Sequence, residues 1–140
     1  MQIAYNWEDF FKPKIVYPNM TQFFPFYYDA KGFITNQKCF IITGQYIEYL
    51  TAIFNSKLFQ FCFSNNFPKL GDKGRELSKI FFDKISILQI NDKQNKIFKQ
   101  FVDDIQNSYT KEKYANINQA IYTIYNLTQD EIYYIENKIK

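Results

Sequence analysis

Histidine is absent from the 140 residues of this chain. With it go histidine-based acid–base chemistry, Ser-His-Asp and Cys-His nucleophile systems, and most zinc sites. Cysteine is scarce: Cys39 and Cys62 sit in apolar runs without CxxC spacing. That pattern favours buried, reduced thiols over a disulfide or a metal site and fits a cytoplasmic chain. Four glycines and four prolines leave few places where the backbone can turn sharply, and Arg75 is the sole arginine. No apolar run approaches the roughly 20 residues that span a bilayer, and the N-terminus lacks a signal-peptide pattern. No membrane partner is therefore expected, and the sequons at Asn19 and Asn126 read as chance matches.

What is abundant is aromatic: 16 Phe and 12 Tyr, alongside many Asn, Lys and Ile. This is the composition of an AT-rich genome, and buried Phe is mainly core material, so the aromatic excess is not itself a base-stacking surface. The length suits one domain with a real core. A net charge of +3 does not diagnose a nucleic-acid binder, but its distribution is uneven. From Lys12 to Lys84 there are 10 basic and 5 acidic residues, whereas from Ile85 to Lys140 there are 7 of each. The first two-thirds of the chain holds the basic face.

Residues 14 to 18, Lys-Ile-Val-Tyr-Pro, predict a short strand ended by proline. Phe23 to Tyr28 and Gly32 to Thr35 flank Asp29-Ala30-Lys31-Gly32, which reads as a hairpin turn. Cys39 to Thr43 is a continuous apolar run that suits a buried strand, ended at Gly44. From Tyr46 to Phe63, Ile47, Leu50, Phe54, Leu58 and Phe61 recur at helical spacing, with Ile53 and Cys62 widening the stripe, so one helix is expected. Ile85, Ile87 and Leu88 or Ile90 predict a further strand. Asn91 with Gln94 resembles a capping pair opening a helix over Ile97, Phe98, Phe101, Val102 and Ile105. Ile117, Ile121, Ile124 and Tyr125 suggest another helix, and Thr128 with Glu131 forms a capping box for a last one bearing Ile132, Ile135 and Ile139. The order gives an α+β class: a small mixed or antiparallel sheet with a packed helix and a helical C-terminal part over residues 91–140.

Between two apolar stretches lies the polar segment from Ser64 to Lys79, with Pro68, Gly71, Gly74, three lysines and Arg75. Glycine permits close backbone approach, and Lys or Arg beside it can meet phosphate. Taken alone, such a charge run is more often a solvated loop, with Asp72, Glu76 and Asp83 offsetting the charge.

The succession Lys14-Ile15-Val16-Tyr17-Pro18, Phe26-Tyr27-Tyr28-Asp29 with Lys31-Gly32-Phe33, Cys39-Phe40-Ile41-Ile42-Thr43, Tyr49 to Leu58 and Phe82 to Ile87 resembles the TaqI-like C-terminal specificity domain of bacterial restriction–modification enzymes. The stretch from Asn118 to Thr128, followed by Glu131-Ile132, resembles the ending of those proteins. The likeness runs from about Lys12 onward and rests on the ordered series, not on any one motif. It implies a single target-recognition domain over residues 1–140, related in architecture to the specificity subunits of type I systems. It also implies a non-catalytic role: reading double-stranded DNA for an adenine-N6 methyltransferase domain of the same polypeptide, with or without a nuclease, as in type IIG enzymes. The Asn/Asp-Pro-Pro-Tyr/Phe motif is absent, as is any glycine-rich site for S-adenosylmethionine, so no cofactor is expected in this chain. S-adenosylmethionine, and Mg with any nuclease, would belong to the parent enzyme. Excision from that parent, with Met1 an artificial start, is favoured over a naturally separate protein.

On this likeness Lys69, Lys73, Arg75 and Lys79 become candidate DNA contacts. The lysines would meet phosphate, while Arg75 has the geometry to reach a guanine edge bidentately. Ser64, Asn65 and Asn66, beside them, are further candidates for contact with bases or phosphate. Asn36, Gln37 and Lys38, preceding the Cys39 strand, form a second candidate, because Asn and Gln can bond adenine N6 and N7 together; an ordinary connecting turn explains them equally well. Tyr5, Trp7, Phe10 and Phe11 mark either a seam with a preceding domain or a core anchor. Glu136-Asn137-Lys138 matches the end of a nuclease motif but lacks an upstream acid and reads as helix-surface charge. The alternative to DNA recognition is a protein-interaction domain, whose aromatic face docks the methyltransferase domain or associates weakly with a second copy.

Overall fold

The computed structural model describes residues 2–3, 12–18, 20–21, 26–30, 39–66, 75–76 and 87–139. The chain divides into two compact units, Met1–Ile47 with Phe67–Ile87, and Glu48–Asn66 with Leu88–Lys140.

The first unit holds a four-stranded antiparallel sheet in the order β1-β5-β2-β4. Its strands are β1 (Gln2–Ile3), β2 (Lys14–Pro18), β4 (Tyr27–Asp29) and β5 (Cys39–Thr43). Strand β2 pairs with β4 on one side, Ile15 opposite Tyr28, and with β5 on the other, Ile15 opposite Ile42. Tyr28, Ile15 and Ile42 thus form one cross-strand row, and all three are buried. Both β2 and β5 fall where the apolar runs place them, and β2 ends at its proline, which lacks the N–H to continue a ladder.

Lys14 is as buried as Ile15, each at 0 % exposure. Consecutive strand residues point to opposite faces, so β2 is covered on both. A lysine there needs a partner, and Asp29, 2 % exposed and directly opposite in the register, pairs with it. Asp29 is therefore not the solvated opening of a turn: it is the last residue of β4, held inside by a charge. The described partner of β4 is β2, and the expected second arm of the hairpin, Gly32 to Thr35, lies outside the described residues. So does the aromatic group from Tyr5 to Phe11.

The second unit is helical. The single helix expected over Tyr46 to Phe63 is two, α1 (Ile47–Asn55) and α2 (Lys57–Asn66), broken at Ser56. The Ser56 hydroxyl donates to the Ile53 carbonyl at 2.6 Å and accepts the Phe59 amide at 3.1 Å, so Ser56 ends one helix while capping the next. The break resets the phase: Phe59 turns inward, Leu58 and Phe61 are half-buried, and Cys62, expected to be buried, is exposed and in no disulfide. Residues 87–90, expected in a strand, make no ladder. Tyrosine hydroxyls hold the backbone there, Tyr49 donating to the Leu88 carbonyl at 2.9 Å and Tyr125 accepting the Leu88 amide at 3.1 Å.

Three helices follow, α3 (Asp92–Asn107), α4 (Lys111–Ile124) and α5 (Gln129–Lys138). Both expected capping boxes form, Asn91 with Gln94 and Thr128 with Glu131. Helix α4 ends with Asn126 in the left-handed region at φ 54°, its amide on the Thr123 carbonyl and that of Leu127 on the Tyr122 carbonyl. This is a Schellman ending with asparagine in place of glycine.

Two side chains cap the first helices from across the unit. Asn95 of α3 accepts the Tyr49 amide at 3.1 Å and donates to Glu48 at 3.0 Å. Asn118 of α4, 2 % exposed, accepts the Lys57 amide at 2.8 Å and donates to the Tyr114 carbonyl at 3.0 Å. Each supplies an acceptor to a helix N–H that has no partner inside its own helix. The core between these helices includes Tyr49 against Phe98, with ring centroids 5.1 Å apart, and the buried Phe54, Val102, Ile117, Ile121 and Ile135.

Two outcomes are expected. Lys14→Met strands the Asp29 carboxylate and destabilises the chain by about 3–5 kcal/mol, whereas the double variant with Asp29→Leu recovers part of that loss in urea titrations. Burial, chiefly, also pushes the Tyr49, Tyr114 and Tyr122 hydroxyls above their ordinary value of 10.0. The folded state therefore keeps protons that the unfolded state releases above that value. Stability from this source is full below pH 10 and falls as pH rises past it. Absorbance titration of the 12 tyrosines should accordingly show a class that ionises only with unfolding.

Candidate nucleic-acid interface

The segment before β5 and the Arg75 part of the polar segment reach the described structure through the first unit. Strand β3 (Met20–Thr21) follows β2 after one residue and pairs antiparallel with β6 (Arg75–Glu76), Thr21 opposite Arg75 and Met20 opposite Glu76. The backbone at Arg75 is thereby tied to the chain that leaves the Pro18 end of β2. At the same end Pro18 pairs with Cys39, the residue into which Asn36, Gln37 and Lys38 lead. Thr21 lies three residues past Pro18, a span of at most about 10 Å for extended chain. One end of the sheet therefore carries both the entry to β5 and the backbone of Arg75.

Arg75 belongs to a strand pair, which gives part of the expected loop a fixed backbone. Asn65 and Asn66 are the last two residues of α2 in the other unit, so they extend a helix. Lys69, Lys73 and Lys79 lie outside the described residues, as do Asn36, Gln37 and Lys38.

The structure alters the charge reading at two basic residues. Lys14, one of the ten that make the first two-thirds basic, is buried against Asp29. Lys57 is ion-paired with Glu136 across α2 and α5, and the Tyr122 hydroxyl donates to the same carboxylate at 2.9 Å. Glu136 thus ties α5 to α2 and α4, a structural task for the acid whose sequence context matched a nuclease motif. Among the described residues no group of three His, Cys, Asp or Glu side chains could hold a metal ion. No helix among them is long and apolar enough to cross a membrane.

The β3–β6 pair escaped the sequence reading. Two-residue strands separated by more than fifty positions have no periodicity to detect. The Lys14–Asp29 pair left a faint signal, two opposite charges at the ends of apolar strands, but each fits a solvated strand end equally well.

No curated protein matches the chain. A family match does cover residues 2–87, the whole sheet together with both candidate segments and β6. The chain belongs to the family of the TaqI-like C-terminal specificity domain.

Proposed function

We propose that the chain is a non-catalytic module that reads a short double-stranded DNA sequence for a bacterial adenine-N6 methyltransferase of a restriction–modification system. The observation that carries this reading is the extent of the family match, which spans both candidate segments. The register supports it by bringing the backbone of Arg75 and the start of β5 to one end of the sheet. In this reading Lys69, Lys73 and Lys79 meet phosphates and set the register on the duplex, and Arg75 and the amides of Asn36 and Gln37 meet base edges. Lys38, Asn65 and Asn66 are further polar contacts. Methyl transfer and S-adenosylmethionine binding belong to a methyltransferase domain joined to this one, in the cytoplasm. A module of this size makes few phosphate contacts, so its own binding is weak and salt-sensitive.

Electrophoretic shift titrations of the chain against a randomised duplex pool at two salt concentrations test the proposal. Each of Lys73→Ala and Arg75→Ala is expected to weaken binding and to reduce the salt slope by about one. Affinity and slope unchanged in both variants would remove the segment from the interface.

A further inference from the structure

The β3–β6 pair stands apart from the four-stranded sheet as a ribbon of two antiparallel strands. Strand β3 follows β2 after one residue, so the ribbon starts at the Pro18 end of the sheet. Its register sorts four residues between two faces. Directly opposite residues of a ladder share a face, and successive residues alternate. Thr21 and Arg75 therefore stand together on one face, and Met20 and Glu76 on the other. The chain's sole arginine is thus set on the face away from Glu76, its neighbour in sequence.

The major groove of B-form DNA, about 12 Å wide, admits a two-stranded ribbon. Phosphates line the walls of that groove, so a ribbon in it turns the Glu76 face out and the Arg75 face in. The Cβ atoms of directly opposite residues lie about 5 Å apart, and stacked base pairs about 3.4 Å apart. Such a pair of residues is thereby held to a single base step. A bidentate arginine uses N7 and O6 of one guanine, which leaves the adjoining base pair to Thr21. The threonine hydroxyl bonds donors and acceptors alike and discriminates little. Its methyl group finds a methyl partner only on thymine.

We propose, on the footing of the DNA-recognition reading, that the Thr21–Arg75 face of the ribbon lies on the base edges of the major groove and reads one base step. Arg75 takes a guanine, and Thr21 takes the methyl group of a thymine in the adjoining pair. Thr21 is then a specificity-determining residue beside Arg75, and part of the recognised sequence has a defined composition. An Arg75 confined to phosphate would carry no sequence information, which gives the two arrangements different outcomes.

Selection from a randomised duplex pool by the full chain at low salt, followed by sequencing, reads preference base by base. The unaltered chain should enrich a motif with a G·C pair next to a T·A pair. Arg75→Lys keeps the charge but loses the planar fork, and should lower the preference for that guanine by about tenfold. Thr21→Ser removes the methyl group and should lower the preference for the neighbouring thymine by about fourfold. Thr21→Val keeps a methyl group and suits a strand, so it should retain that preference. Circular dichroism checks that each variant is folded. A motif that Arg75→Lys or Thr21→Ser leaves unaltered, relaxed positions that are not adjacent, or a thymine preference lost in Thr21→Val would each overturn the ribbon contact while leaving DNA recognition standing. Selection by the unaltered chain that enriches no motif would overturn both.

Discussion

A lysine with no exposure sits in the central strand of the sheet, and the arrangement of the first unit depends on how its charge is met. Lys14 and Ile15 point to opposite faces of β2 and both are fully buried, so neither face offers water to the ammonium group. Asp29 answers it from the position directly opposite on β4. A slip of one residue would turn the carboxylate to the wrong face and leave two charges unmatched. The pair thus adds register specificity that an apolar pair of similar size would not. Register matters here because the Pro18 end of β2 fixes where β5 begins and where the β3–β6 pair attaches. The segment that carries Asn36, Gln37 and Lys38 leads into the sheet at that end, and the backbone of Arg75 pairs with the chain that leaves it.

The helical unit is organised by a different economy. Its helices are short, and two of them begin where local sequence offers too few acceptors for their first N–H groups. Asn95 and Asn118 supply these from neighbouring helices, so the caps form only when the helices pack. Ser56 works locally, closing α1 and opening α2 in two hydrogen bonds. Glu136 joins α5 to both α2 and α4 through Lys57 and Tyr122. The inner face of α5 is thereby fixed, and Tyr134 beside it packs edge-on against Phe61 of α2.

Much of the fold was legible because its signals are local. The strands Lys14–Pro18 and Cys39–Thr43, the capping boxes at Asn91 and Thr128, and the isoleucine stripes of the last helices each lie within a short window and came out where the pattern put them. Features that depend on distant partners did not. Helical periodicity runs through Ser56 almost undisturbed, and only its hydrogen bonds reveal the break. Residues 87–90 look like a strand by composition, yet tyrosines from elsewhere claim the Leu88 backbone groups. Asp29 has the chemistry of a turn residue and the role of a buried counter-ion. As for the candidate interface, the resemblance picked out its segments from an ordered series, and the family match covers that series as far as residue 87. Sequence did not disclose that Arg75 lies in a strand pair, because two residues carry no period.

The central proposal is that the Pro18 end of the sheet faces DNA. Hydrogen–deuterium exchange of the full chain with and without a saturating duplex addresses it directly, because it reads backbone protection peptide by peptide. The account predicts slowed exchange in peptides covering residues 19–22, 36–38 and 69–79, with α3 to α5 unchanged. Protection confined to the helical unit, with those three segments exchanging as before, would contradict it.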